Sequence, residues 1–302
     1  MSETVRALEG TAAGQDVALL LALISAVAHA CFGALQKGRH DPWLTRGAID
    51  LWIFFLAAPV AVFVVPWPVG FEWAVLAGAL GIHFAYKLTM ALAYERAAYT
   101  VVYPVVRGTG PLITLAFAAV FLGEHYGPLQ WGGVALLSGA ILGLAGANLR
   151  AVQVVDAAAL KMGLAWAFVA GLLVAIYTTY DAWGIRLTPD PFTFLAWFFF
   201  ITALDFPLLM GVRLLRGTAQ VTGEVRALLL RGLIGALVAF VSFGGIMLGT
   251  RIGKVGEVAA LRETSTVFAA LIGWAVLGEQ VGRLRAALMG LVALGAVLVQ
   301  AG

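Results

Sequence analysis

Apolar stretches of about 20 residues, the length that carries a helix across the hydrocarbon core of a bilayer, recur ten times along this chain of 302 residues. They cover about 17–36, 47–66, 73–94, 100–122, 129–148, 162–183, 192–212, 230–250, 255–277 and 284–301. The connections are short, the longest running from Leu214 to Leu229, and leave no room for a soluble domain. Only 12% of the residues are charged, while 62% are hydrophobic. A water-soluble chain keeps a polar exterior and a disordered one is polar throughout, so both classes are excluded. In lipid each backbone polar group must be satisfied internally, and a single apolar segment does that as a helix. The expected fold is therefore an all-α membrane protein with ten transmembrane helices.

The first span is expected to stay in the mature chain. Ala28-His29-Ala30 resembles a small-x-small cleavage site, but Glu3, Glu9 and Asp16 outnumber Arg6 ahead of it, and a signal peptide begins basic. The single cysteine, Cys31, excludes a disulfide framework and a thiolate metal cluster. The four histidines lack ligand spacing, and there is neither a phosphate-binding Gly-rich loop nor a nucleophile elbow. No catalytic residue, metal site or cofactor is expected, and the chain is not read as an enzyme. With a net charge of only +3, nucleic acid is not an expected partner. The expected partners are the lipid bilayer and a small-molecule substrate.

The chain repeats itself. Leu122-Gly123-Glu124 recurs as Leu277-Gly278-Glu279, an offset of 155 residues. At the same offset Arg107-Gly108-Thr109 faces Arg262-Glu263-Thr264, Gly127 faces Gly282 and Arg96 faces Arg251. Two halves of five spans each must lie inverted in the membrane, because five is odd. Inverted repeats mark secondary transporters, whose substrate site lies near the midplane between the repeats. The expected division is an N-terminal tail over 1–16, a first repeat over 17–148, a connecting loop over 149–161 and a second repeat over 162–302.

Each half closes with a hydrophobic helix, Leu-Gly-Glu, a short turn and a glycine-containing helix: Phe121 to Gly133, and Val276 to Arg285. This pattern resembles the duplicated EamA-type domain of the drug/metabolite transporter superfamily over nearly the whole chain. The resemblance implies two inverted five-helix repeats around a central cavity, lined largely by the fourth and ninth helices. It also implies a transporter in a bacterial inner membrane. The segment from His29 to Lys37 resembles a bacterial branch with His-Ala-x-Trp-Asn ending in Lys, some of whose members are associated with phosphonate use. Here Phe32 and Gly33 replace the Trp and Asn.

Ionisable residues inside spans cost about 2.5–3.5 kcal/mol each on insertion scales and mark pathways by default. Asp50, Asp181 and Glu257 lie near span ends, where they can reach interfacial water. Lys87 lies deeper and either snorkels or serves the site. Arg107 and Arg262 sit about 10 Å inside their helices at 1.5 Å per residue, and a guanidinium cannot deprotonate to escape. Either each pairs with an internal carboxylate, Asp205 or Glu263, or one of them meets a substrate anion. Tyr103, Thr109, Thr264 and Lys87 complete the candidate substrate site. Lys87, Arg107 and Arg262 set against Asp205 and Glu263 leave about one positive charge for a ligand.

Pro104, Gly108, Gly110 and Pro111 should loosen the helix around Arg107, whereas Leu261 to Thr266 has no such residue and should be regular. The run Trp197-Phe198-Phe199-Phe200 reads as lipid contact or packing. Glu124 and Glu279 should cap the helices that follow them. Proton coupling is expected through at least one of His29, His83, Asp205 and Glu263: the histidines can change charge near neutral pH, and burial disfavours a carboxylate's charged form while an arginine nearby does the opposite.

The leading functional expectation is a secondary transporter of a small polar, anionic metabolite, working by alternating access. The alternative is an exporter of neutral or aromatic amino acids or hydrophobic drugs, with an aromatic pocket and arginines locked in internal pairs. Loops on one side hold 12 Lys and Arg against 4 on the side of the termini, which places both termini outside the cytoplasm. The family resemblance implies the opposite orientation.

Overall fold

The computed structural model describes residues 2–36, 41–151, 156–219, 224–277 and 282–302. Its described secondary structure is entirely helical. A short helix α1 (Ser2–Leu8) precedes α2 (Ala12–Gln36), α3 (Pro42–Phe63), α4 (Glu72–Arg96), α5 (Tyr99–Phe121) and α6 (Pro128–Ala151). Then come α7 (Ala157–Leu187), α8 (Pro191–Thr202), α9 (Asp205–Leu215), α10 (Val225–Ile252), α11 (Val255–Arg262), α12 (Ser265–Leu277) and α13 (Arg283–Ala301). Among the described residues, nine segments are long and apolar enough to cross a membrane, Pro191–Leu215 being one of them despite its break. The expected ninth span, 255–277, is divided between α11 and α12, each too short by itself.

The segment expected as a tail holds α1 and the first turn of α2. Helices α3, α7 and α10 each start about five residues before the apolar run does. Aspartates open two of them: Asp41 accepts the backbone N–H groups of Trp43 and Leu44 ahead of Pro42, and Asp156 does the same for Ala158 and Ala159. These are N-cap signals, and they lie outside a hydropathy window.

Partners are exchanged between the halves. Helix α4 packs on α7 as α10 packs on α2, and α5 packs on α7 as α11 and α12 pack on α2. Helix α6 packs on α13, and α3 on α8. Two copies related by a two-fold axis would pack in this way. Helices in lipid gain little from burial and associate by close packing. Where α6 crosses α13, a Cβ on Gly133 would lie 2.7 Å from the Gly295 carbonyl oxygen, and one on Gly295 would lie 2.6 Å from that of Gly133. Gly123 of the Leu-Gly-Glu turn has φ +67, a conformation that costs a side-chain-bearing residue. The aromatic run packs inward: Trp197, Phe198 and Phe199 are buried, and Trp197 meets Trp67 and Trp73 edge to face. Phe55, Phe63, Val120 and Val297 supply the exposed apolar surface instead.

The two repeat-mate helices reverse the expectation. Helix α5 runs unbroken through Pro104 and Pro111. The carbonyl four residues before Pro104, that of Thr100, accepts from Asn148 Nδ2 at 2.8 Å. The break falls instead at Glu263 and Thr264, between α11 and α12. There the Thr264 and Thr266 hydroxyls bond back to the carbonyls of Leu261 and Glu263. Such local bonds compete with the helical ladder, and three hydroxyl residues in a row outweigh the lack of Pro or Gly. In the first turn of α9, just past its break from α8, Pro207 has no N–H to donate, and the Phe206 N–H turns to Asp205 Oδ1 at 2.6 Å.

Candidate functional site

A cavity of about 250 Å³ lies between α2, α3, α4, α5, α9 and α10. Its wall is mostly aromatic: Phe32, Tyr86, Tyr94, Tyr99, Tyr103, Phe206 and Phe243, with His29. Tyr94, Tyr99 and Tyr103 stack in series at centroid spacings of 5.4 and 5.1 Å, and His29 stacks on Tyr103 at 6.4 Å. The polar part of the wall is Thr45, Arg46 and Lys87.

Lys87 does not snorkel. Its buried ammonium meets Asp50 Oδ2 at 3.0 Å, Asp205 Oδ1 at 2.6 Å and the Thr202 carbonyl at 2.6 Å. Arg46 closes the group on Asp50 at 2.8 Å. Asp50 and Asp181 do not reach interfacial water: both are buried, Asp181 with its Oδ2 2.8 Å from His83 Nε2. Glu257 is buried as well, accepting from Gln15 and Gln130 and pairing with Lys254 at 3.1 Å. Hydropathy misplaced Asp50 because it starts the second span at 47. The Asp41-Pro42 cap signal starts α3 at Pro42, which puts Arg46 and Asp50 inside it at ion-pair spacing.

Arg107 and Arg262 stand one layer behind the wall. Arg107 lies 5.4 Å from the Tyr103 ring and pairs with Glu263 Oε1 at 2.8 Å. Arg262, 3% exposed, lies 4.8 Å from the Phe243 ring, with Nη2 3.4 Å from His29 Nδ1. Its Nε has no hydrogen-bond partner, and among the described residues it forms no ion pair. Thr109 and Thr264 are not brought to the cavity; their hydroxyls bond the carbonyls of Val105 and Leu261. Asp205 joins Lys87 rather than an arginine, and the described carboxylates leave no net positive charge. Arg46, Lys87, Arg107 and Arg262 are matched by Asp50, Asp181, Asp205 and Glu263. The expected surplus of one charge left out Arg46, Asp50 and Asp181.

The opposite end of the bundle is tied shut. Arg186 pairs with Glu124 at 2.8 Å and donates to the Gly253 carbonyl at 2.8 Å. Glu124 accepts the Val255 backbone N–H at 2.8 Å. It therefore caps α11, half a chain away, and not the helix that follows it. Glu279 lies outside the described residues. Arg251 bonds the carbonyls of Ile185 and Thr188 and pairs with Glu9 at 2.7 Å. Helix α1 adds Arg6 on the Pro189 carbonyl and Ser2 on Asp190.

Residues 161–301 match the EamA-like transporter family. The chain also matches a solved crystal structure of a protein at TM-score 0.74, with 18% identity over 95% of this chain and 96% of that one. At that identity the likeness shows the fold alone. No curated relative matches the chain. Family and fold agree with the superfamily that the Leu-Gly-Glu pattern resembles.

Proposed function

We propose that this chain, a multi-pass membrane transporter of the drug/metabolite transporter superfamily, moves a small anionic metabolite across a bacterial inner membrane by alternating access. The carrying observation is Arg262: a buried guanidinium without a carboxylate partner among the described residues, whose Nε lacks an acceptor. A buried donor left without an acceptor costs free energy, and a carboxylate, phosphonate or sulfonate matches the planar fork of donors. The aromatic wall suits the apolar body of such an anion.

The two ends of the bundle fit one stage of such a cycle. The cavity faces the end near Ala97 and Tyr99, while Glu124, Arg186 and Arg251 bar the end that carries the termini. His29 and Phe243 separate the cavity from Arg262, and their displacement would admit the anion to the midplane. The cavity lies on the side that holds 12 Lys and Arg, so the charge count puts its mouth at the cytoplasm. A reporter fused at Gly302 is then inactive in the cytoplasm; cytoplasmic activity reverses the orientation.

The aromatic wall favours a second reading, a carrier of neutral or aromatic amino acids. A thermal-shift screen over carboxylates, phosphonates, sulfonates and neutral amino acids separates the two, followed by counterflow in proteoliposomes. Anions that stabilise the parent and lose that effect in Arg262→Gln support anion transport. Stabilisation by neutral aromatic solutes alone, unchanged in Arg262→Gln, selects the second reading.

A further inference from the structure

Lys87 is held as a small cation would be held. Its partners are two carboxylates on different helices and a main-chain carbonyl at the break between α8 and α9. Oxygen ligands of this kind suit a hard cation, and broken helices supply them in ion-driven transporters. The side chains of Lys87, Asp50 and Asp205 are 4%, 1% and 8% exposed. Asp205 Oδ2 is buried with no hydrogen-bond partner. A second cavity of about 30 Å³, the room of one water molecule, lies against Asp50, Lys87 and Thr202.

We propose that Asp50, Asp205 and the Thr202 carbonyl form the coupling-ion seat of this transporter, and that Lys87 fills it from within, so that its ammonium takes the place of a sodium ion. The assignment of the moving charge rests on the anion reading above. Lys87 lines both cavities, so its ammonium can swing from the seat toward the larger one without a change of helix. There it meets the substrate anion. The vacated seat holds two carboxylates against Arg46 alone. The charge that meets the anion is thus one the site already carries. The groups facing Lys87 are Asp50 and Arg46 from α3 and Asp205 from α9. His83 and Tyr86 of its own helix line the small cavity, with Asp181 of α7 behind His83; α8 contributes the Thr202 carbonyl.

Thermal unfolding of the purified full chain in sodium, potassium and choline chloride tests the seat without any substrate. Lys87→Ala should be stabilised saturably by sodium, on the order of 5 °C at a hundredfold excess over its dissociation constant. The parent should be indifferent to the salt, and Lys87→Ala/Asp205→Asn should lose the sodium response. A folded Lys87→Ala indifferent to sodium overturns the proposal. So does a parent stabilised by sodium as strongly, or failure of both Lys87→Ala and Lys87→Ser to fold in all three salts. Anion uptake by the parent driven by a sodium gradient and not by a pH gradient overturns it too. The anion reading fails separately, if the parent in liposomes moves no anion.

Discussion

Arg107 and Arg262 occupy the same place at an offset of 155 residues, and their surroundings differ. Arg107 belongs to a helix that stays continuous despite two prolines, and it is neutralised by Glu263. Arg262 ends a short helix, and its Nη2 meets a histidine nitrogen instead of a carboxylate. The carboxylate that serves Arg107 follows Arg262 in sequence, at the break. One half thus lends its acid to the other half's arginine and leaves its own unpaired. Equivalent motifs in a repeat need not do equivalent work, because each is completed by side chains from the other half.

Removing that loaned acid should have the largest effect. Glu263→Gln strands Arg107 in the interior and should cost about 3–5 kcal/mol, the usual loss for one partner of a buried pair. Arg262→Gln breaks no ion pair and should cost less than about 1 kcal/mol. Chemical unfolding of both variants in detergent checks this, and equal losses would remove the distinction between the two arginines.

Next comes anion affinity. Arg262→Lys keeps the charge and loses the fork, so binding of any stabilising anion should weaken about tenfold, and by up to about a hundredfold in Arg262→Gln, as expected for charge-assisted bonds of about 1.5–3 kcal/mol. Arg107→Lys, still able to pair with Glu263, should change affinity far less. If the two Lys variants weaken binding equally, both arginines touch the anion.

The closing turn is a smaller lever. Glu124→Gln loses the charge that holds Arg186 and the cap on Val255, and should destabilise by about 1.5–3 kcal/mol. Cysteines placed on the terminal side should label faster in this variant; unchanged labelling would show that the bar does not depend on Glu124.

The smallest effect concerns the caps that open the second helix of each half, Asp41-Pro42 and Asp190-Pro191. Asp190 alone also binds α1, through Ser2. Partial burial pushes its carboxyl up, but hydrogen bonds from Ser2, Thr193 and the backbone N–H groups of Phe192 and Thr193 outweigh that and leave it below the ordinary aspartate value. A lowered folded value gives stability that is complete above the unfolded value, about 3.9, and is lost as pH falls through the folded one. Protection of the amides at the start of α8, relative to their intrinsic exchange, should therefore fall below about pH 4 in the parent and stay constant there in Asp190→Asn. An Asp190→Asn variant with the parent's pH response would assign the effect elsewhere.

The sequence by itself determined the class of the fold and the depth of the main charges. Ten apolar runs admit only helices in lipid, Gly123 admits the positive φ of the closing turn, and Arg107 and Arg262 lie about ten ångströms inside their helices wherever the chain leads. The caps at Asp41, Asp156 and Asp190 lie outside a hydropathy window, and the structure supplied them. The tertiary structure alone decided which acid meets which base. Glu263 could serve either arginine, Lys87 could reach water or an acid, and Asp50 could face the interface or the interior. Such choices depend on distances between helices that are remote in sequence, and ion pairing falls off over a few ångströms while hydropathy is averaged over twenty residues. The break at Glu263 and the continuity at Pro104 were settled in the same way, by hydroxyls within the chain and by Asn148 from a neighbouring helix, which no local propensity contains.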